Sequence, residues 1–170
     1  MNRLLRISTP LIIICIVSGV TLTASYSLTE ERIKAVEART ITEALSSIFP
    51  GASFNKTDDY YTAVAHGEVI GYVFITEGKG FSGTIKTMVG MYPNDTISRI
   101  YVISQTETPG LGTRIAEPEF TNQFMSKRIE DLRLRGDGGL IDAITGATIS
   151  SRAITEAVRT GAEVARNETR

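Results

Sequence analysis

The sequence predicts an α+β protein: a single N-terminal transmembrane helix followed by a compact, largely antiparallel sheet domain with flanking helices. Three observations lead to this prediction. A stretch of 23 residues without charge lies near the N-terminus, two pairs of strand-like segments occupy the middle, and apolar residues recur at helical spacing near the C-terminus. The length of 170 residues suits one domain plus an anchor.

The uncharged stretch, residues 7–29, predicts the membrane anchor. As a helix at ~1.5 Å per residue it extends about 34 Å, enough to cross a hydrocarbon core of ~30 Å. Arg3 and Arg6 precede it and Glu30 follows it, so the positive-inside rule places the N-terminus in the cytoplasm. We therefore predict a single-pass protein of the cytoplasmic membrane in two parts: residues 1–29, the cytoplasmic N-terminus and anchor, and residues 30–170, a domain outside.

A cleaved signal peptide is the alternative interpretation of the same stretch. Ala24, with Leu22 two residues ahead of it, makes a poor cleavage site, and no small-residue pair ahead of Cys15 marks a lipoprotein signal. The uncleaved anchor is therefore the interpretation that we prefer.

The domain is predicted to begin with a helix of its own and to continue as two hairpins. Residues 27–30 have the pattern of a capping box, and Pro50 and Gly51 end the helix. In residues 97–103 apolar residues alternate without leaving one clean polar face, which predicts a sheet covered on much of both faces. The predicted strands are residues 60–65 and 69–76 around a turn at 66–68, and residues 84–92 and 96–105 around a turn at 93–95.

The C-terminal part is predicted to be helical. Phe120 and Phe124 share one face of a short helix, where aromatic pairs usually pack into a core. The last helix follows residue 148 and ends near Ala165.

Composition excludes several kinds of site. Cys15 is the only cysteine and lies in the predicted anchor, so the external domain can hold neither a disulfide nor a Cys-ligated cluster nor a c-type haem. His66 is the only histidine, and it falls in a predicted turn, so we expect no metal site. No basic patch indicates a nucleic-acid partner. If the domain performs redox chemistry, its cofactor is organic.

The segment from Asp142 to Thr148 lies where a strand-like run turns into the last helix. Its small, hydroxyl-rich residues have two possible uses. A Thr or Ser oxygen can cap the helix by accepting a bond from a first-turn N–H group. Alternatively, the unpaired N–H groups and the positive dipole end can hold an anion. From pattern alone, capping is the commoner use. Leu140, Ile141 and Ile144 are predicted to be buried.

Two other stretches are rich in glycine. Residues 78–83 contain three glycines but lack the spacing of a phosphate loop, so they predict a tight bend that lets backbone approach a ligand or a neighbouring strand. Residues 107–112 contain Pro109 followed by the flexible Gly110 and Gly112, and they predict a structured loop, which is a good wall for a flat ring. An ordinary strand-to-helix loop is the alternative for the second stretch. No residue set indicates catalysis, and we predict no catalytic residue.

The pattern Asp142-x-x-Thr145-Gly146-Ala147-Thr148 resembles the D-x-x-[ST]-G-A-[ST] signature of covalent FMN-binding domains. The two glycine-rich stretches occur in the same order in that family. The resemblance covers nearly the whole chain and points to the G subunits of Rnf ion-translocating electron-transport complexes. The C subunit of the sodium-translocating NADH:quinone reductase is similar but longer.

The resemblance implies that Thr148 carries FMN through a phosphoester and that a dedicated flavin transferase attaches it from FAD. It also implies electron relay among other subunits of a membrane complex, so that the chain is not an enzyme on its own. Leu111 would pack on the isoalloxazine ring, and Glu107 or Thr108 would meet its polar edge. The cofactor-binding residues expected in this way are Thr148, Asp142, Thr145, Gly146, Ala147, Glu107, Thr108, Gly110 and Leu111.

Two alternatives remain open from the sequence. One is a membrane-anchored extracytoplasmic sensory or binding domain without flavin, in which residues 145–148 serve only as a helix cap. The other is an FMN-binding electron carrier of the same fold that works outside any Rnf-like complex.

Overall fold

The computed structural model describes residues 2–169, except for the side chains of residues 2–7, 9, 27, 31 and 34. The chain divides into two compact units, Met1–Thr40 and Ile41–Arg170. Helix α1, Asn2–Ile48, contains all the described residues of the first unit. Its last residues, from Ile41 onward, belong to the second unit.

Helix α1 contains the segment predicted to cross a membrane. Within the described residues, Pro10–Ile48 is the one helical segment that is long and apolar enough to do so. Large side chains such as Leu11, Ile14 and Val17 remain exposed along it. The helical anchor of the predicted fold class is thus present, and the domain boundary after residue 29 stays a prediction.

The predicted helix start at residues 27–30 is wrong, because α1 continues through this region to Ile48. No glycine or proline lies between Val20 and Ile48 to interrupt it. The Thr29 hydroxyl donates to the Ser25 carbonyl at 2.8 Å, four residues back along the helix. Hydroxyls that bond backward in this way are accommodated inside a helix and do not start a new one.

The second unit is built on a five-stranded antiparallel sheet in which each strand pairs with the next along the chain. The strands are β1, Ser53–Lys56; β2, Tyr60–Ala65; β3, Glu68–Lys79; β4, Thr84–Met91; and β5, Ile97–Ser104. His66 and Gly67 both have positive φ, which suits the two-residue turn that joins β2 to β3. The prediction of a largely antiparallel sheet is therefore confirmed. The pattern missed strand β1, because this strand has too few apolar residues to alternate.

Both faces of the sheet are covered, as the strand pattern predicted. On β3, Val73 packs in a cluster with Ile48 and Phe49. The next residue, Phe74, points to the opposite face and packs in the cluster that contains Ile154 of the last helix. The Ser98 hydroxyl on β5 donates to the Ile48 carbonyl at 3.2 Å, which fixes the end of α1 on the sheet.

The last helix, α3, Thr148–Glu168, lies close against β3. The Thr76 hydroxyl donates to the Ala157 carbonyl at 2.9 Å. A Cβ on Gly78 would lie 2.6 Å from the Ala153 carbonyl oxygen, and one on Gly161 would lie 2.9 Å from the Phe74 ring. Two glycines, one on each element, therefore permit the close approach that sets where α3 begins.

The chain between β5 and α3 contains the short helix α2, Pro118–Thr121, and several single turns. Phe120 and Phe124 are buried with ring centroids 5.6 Å apart, which confirms their predicted packing. The strand-like run before Asp142 is only an isolated bridge between Leu134 and Ile141. Ile141 is buried as predicted, but Leu140 is 44% exposed because adjacent residues of an extended segment point to opposite sides.

Gly90 offers a test of how tightly the end of α1 packs on the sheet. A Cβ at Gly90 would overlap Ile48 Cγ2, an atom next to the helix backbone that cannot swing away. We expect Gly90→Ala to lower the free energy of unfolding by about 1–3 kcal/mol. Gly136→Ala is the matched control, because nothing lies within 4 Å of its Cβ position. Equal denaturation midpoints for the two variants would contradict the described packing.

Candidate functional site

The three sequence stretches singled out above meet around one cleft. It has a volume of about 430 Å³, within the ~300–1,000 Å³ typical of small-molecule sites. The turn after β3, the loop after β5 and the first turn of α3 each supply part of its wall. The lining residues are Phe81, Glu107, Thr108, Leu111, Gly112, Gly146, Ala147, Thr148, Ile149 and Ser150.

The Glu107 carboxylate holds these three segments together. It is 4% exposed. It accepts hydrogen bonds from the backbone N–H groups of Ser82 at 2.9 Å, Phe81 at 3.2 Å and Gly83 at 3.3 Å. It also accepts a hydrogen bond from the Ser150 hydroxyl in the first turn of α3. One side chain therefore fixes the relative positions of the β3–β4 turn, its own loop and the helix.

These hydrogen bonds favour the charged form of Glu107. Burial desolvates the carboxylate and by itself raises its pKa. The bonds from the Ser150 hydroxyl and the backbone of Ser82, Phe81 and Gly83 act in the opposite direction and prevail, so the pKa lies below its ordinary value of 4.5. Glu107 is therefore an anion at neutral pH.

Helix α3 begins in the cleft without a side-chain cap. Its N-cap position is Ala147, and within the described residues no side chain makes a capping hydrogen bond at this end. The first bond into the helix runs from the Ser151 N–H to the Ala147 carbonyl at 2.9 Å. The positive φ of Gly146, 81°, reverses the chain just before this point. The N–H groups of the first turn are thus available to an anion.

Three large apolar side chains that line the cleft remain open to solvent. Phe81 is 70% exposed, Leu111 47% and Ile149 52%. Large apolar side chains that line a cleft without being buried are typical of a ligand-binding site.

The structure brings together six of the nine predicted site residues. These six are Glu107, Thr108, Leu111, Gly146, Ala147 and Thr148. Gly110, Asp142 and Thr145 do not line the cleft. Glu107 was expected to meet the polar edge of the ring. In the structure its carboxylate instead accepts hydrogen bonds from protein N–H and O–H groups.

Asp142 lies on a separate surface. Its carboxylate accepts two hydrogen bonds from Arg135, at 2.6 and 3.1 Å, and this pairing lowers the pKa of Asp142. The Gln123 side chain holds the Asp142 backbone by accepting from its N–H at 2.7 Å. Asp142 and Thr145 line a shallow depression with Arg114 instead of the cleft.

Sequence reasoning missed four cleft residues as site residues: Phe81, Gly112, Ile149 and Ser150. Phe81 and Gly112 lie within stretches that the sequence singled out, and an aromatic residue among glycines was a usable signal for the first. Ser150 belongs to the hydroxyl-rich start of the last helix, but its pairing with Glu107, 43 positions away in the chain, had no such signal.

An uncapped helix end beside exposed apolar side chains defines the site of a small-molecule-binding protein, suited to a ligand with an anionic group and an apolar part. The comparisons with known proteins agree with this class. Residues 80–163, which contain every residue that lines the cleft, match the FMN-binding domain family.

Two relatives match almost the whole chain. The G subunit of the ion-translocating oxidoreductase complex of Methanosarcina acetivorans is 32% identical over 95% of this chain and 94% of its own. The G subunit of the proton-translocating ferredoxin:NAD(+) oxidoreductase complex of Clostridium ljungdahlii is 31% identical over 95% of this chain and 91% of its own. The chain belongs to this family of G subunits, the Rnf family that its motifs resemble.

Solved structures show the same fold. The C subunit of the Na(+)-translocating NADH-quinone reductase from Parabacteroides distasonis has a TM-score of 0.53 and 25% identity over 65% of this chain and 62% of that one. NqrC of Shewanella oneidensis has a TM-score of 0.51 and 22% identity over 64% and 61%.

Glu107 should make stability depend on pH. Because its pKa in the folded protein lies below 4.5, its stabilising effect is complete above that value and is lost as the pH falls through the folded pKa. At neutral pH we expect Glu107→Gln to lower the free energy of unfolding by about 1–3 kcal/mol, since an amide offers one acceptor oxygen to four donors.

Chemical denaturation of wild type and variant at neutral and acidic pH measures this effect. The difference between them should shrink on acidification. Glu119→Gln, at a side chain that is 83% exposed, is the control and should change little at either pH. A Glu107→Gln difference that is the same at both pH values would contradict the assignment.

Proposed function

We propose that the chain is the membrane-anchored flavoprotein subunit of an ion-translocating electron-transport complex and relays electrons through an FMN joined covalently to Thr148. The observation that carries the proposal is that α3 starts, uncapped, at Thr148 in the cleft. Family membership and the FMN-binding domain support the coarser statement of a flavoprotein in such a complex.

Thr148 meets the requirements for a phosphoester. It is exposed in the cleft, and none of the hydrogen bonds of the described residues involves its hydroxyl. Attachment forms a bond between Thr148 Oγ1 and the FMN phosphorus while the pyrophosphate bond of FAD breaks, so that AMP leaves and the hydroxyl proton is released. The phosphate would then lie beside the free N–H groups of the first turn of α3, which stabilise its negative charge.

The cleft would hold the ring as well as the phosphate. When bound, FMN supplies carriage of one or two electrons. Leu111, Phe81 and Ile149 supply an apolar wall for its ring, and the loop that carries Leu111 is fixed beforehand through Glu107. A preformed wall loses little entropy on binding.

A flavin transferase is the proposed maturation partner. No general base is needed within the chain itself if another enzyme performs the attachment. Asp142 and Thr145 belong to the attachment motif yet lie outside the cleft, on an exposed surface. We assign them to recognition by the transferase and not to contact with the ring.

The other proposed partners are further subunits of the complex. The chain is a membrane-anchored protein through α1, and we propose that its N-terminus lies in the cytoplasm and the FMN domain outside. Residues 7–29 contain no charged side chain, so this segment offers no path for an ion through the membrane. Ion movement would therefore take place in other subunits.

A sensory or binding domain without flavin is less well supported. That alternative required residues 145–148 to serve as a helix cap, whereas no side chain of the described residues caps α3. Ser151, further into the helix, accepts a bond from the Ile144 N–H at 3.0 Å.

The attachment residue can be tested directly. Thr148→Ala should fold and lose covalent flavin, because the acceptor oxygen is missing, whereas Thr148→Ser should retain it. Each variant is produced together with an active flavin transferase and examined by intact mass, peptide mapping and in-gel fluorescence after denaturation. Covalent flavin in Thr148→Ala would refute the assignment.

The role of Asp142 can be separated from that of the cleft. Asp142→Asn should slow covalent attachment while leaving non-covalent FMN binding and the melting temperature close to wild type, since exposed ion pairs contribute little to stability. Asp137→Asn is the matched control, because Asp137 pairs with Arg152 in the same bidentate manner at 3.0 and 3.2 Å. Equal attachment rates for the two variants would argue against recognition through Asp142.

A further inference from the structure

We propose that Glu107 is a fixed negative charge that lowers the reduction potential of the flavin in the cleft. This inference rests on the proposed function, because it requires the flavin to occupy the cleft. It adds to that function a residue that helps to set the reduction potential of the flavin, and therefore its place in a sequence of electron transfers.

The charge of Glu107 has no cationic partner among the described residues. All four of its hydrogen-bond donors are neutral groups, three backbone N–H groups and one hydroxyl. None of the salt bridges in the described part of the chain includes it. A carboxylate that is almost fully buried is usually paired with a cation, so an unpaired one is unusual. Its field is therefore only partly compensated.

The Glu107 side chain is also closely enclosed by backbone. A Cβ on Gly80 would lie 2.8 Å from Glu107 Cδ, and one on Gly112 would lie 2.6 Å from Glu107 Cβ. These two glycines let the backbone close on both sides of the side chain. Together with the four hydrogen bonds, this enclosure gives the charge a defined position in the wall of the cleft.

The sign of the effect follows from electrostatics. Reduction adds electrons to the ring, and a neighbouring anion opposes the added negative charge, all the more because burial weakens solvent screening. The oxidised form is therefore favoured, and the potential is lower than it would be with a neutral residue at this position.

The test uses the covalently loaded full chain, made together with a flavin transferase. Wild type and Glu107→Gln are equilibrated with a redox dye, and the ratio of reduced to oxidised flavin is read from the absorbance spectrum. We expect the ratio to rise roughly tenfold in the variant, the size of effect given by a unit charge about 10 Å away at an effective dielectric constant of about 20. The control, Glu130→Gln, removes a charge that is exposed, paired with Arg128 and outside the cleft.

A second variant tests the same inference in the opposite direction. Ser150→Ala keeps the carboxylate but removes one of its neutral donors, so the charge is less compensated. We expect its ratio of reduced to oxidised flavin to fall below that of wild type. If Glu107→Gln does not fold, as judged by the melting temperature of the unloaded protein, the Ser150→Ala result decides the matter.

The outcomes separate the two proposals. Failure of wild type to take covalent flavin in the presence of an active transferase would contradict the proposed function. If the loaded wild type, Glu107→Gln and Ser150→Ala all show the same ratio of reduced to oxidised flavin, the inference is overturned, because Glu107 then acts only as a structural clamp. That result would leave the flavoprotein assignment intact. The inference would also be overturned if the ratio of reduced to oxidised flavin rose as much in Glu130→Gln as in Glu107→Gln.

Discussion

The hydrogen bonds of the Glu107 carboxylate are the interaction on which the geometry of the cleft depends. They join a turn between two strands, a loop and the first turn of α3, and the residues that donate them lie 24 to 43 positions from Glu107 in the chain. Every donor is neutral, so the carboxylate stays charged through hydrogen bonding alone, with its pKa below the ordinary value in spite of burial. The same contacts form the cleft and place a negative charge in its wall.

The position of α3 is the second requirement. The helix can begin beside Glu107 only because it lies close against β3, where Gly78 and Gly161 leave out the side chains that would hold the elements apart. The Thr76 hydroxyl bonds to the Ala157 carbonyl and fixes the register of this contact at 2.9 Å. Packing near the middle of the helix thus determines what its N-terminus presents to a ligand.

The attachment motif is divided between two surfaces. Gly146, Ala147 and Thr148 line the cleft, while Asp142 and Thr145 lie on a neighbouring exposed surface where Arg135 orients the Asp142 carboxylate. In the proposed function, the residues in the cleft serve the bound flavin and those on the exposed surface serve recognition by the transferase, which would reach the segment from outside.

The sequence by itself determined the features that depend on neighbours along the chain. The uncharged stretch of α1, the alternation in β2 to β5 and the pattern ending at Thr148 are all local, and they were sufficient for the fold class and the family. Only the tertiary structure decided the role of Glu107, the contribution of Phe81 and Ser150 to the cleft, and the separation of Asp142 from it. Hydrogen bonds between residues far apart in sequence leave no periodic or compositional pattern, and only folding brings such residues together.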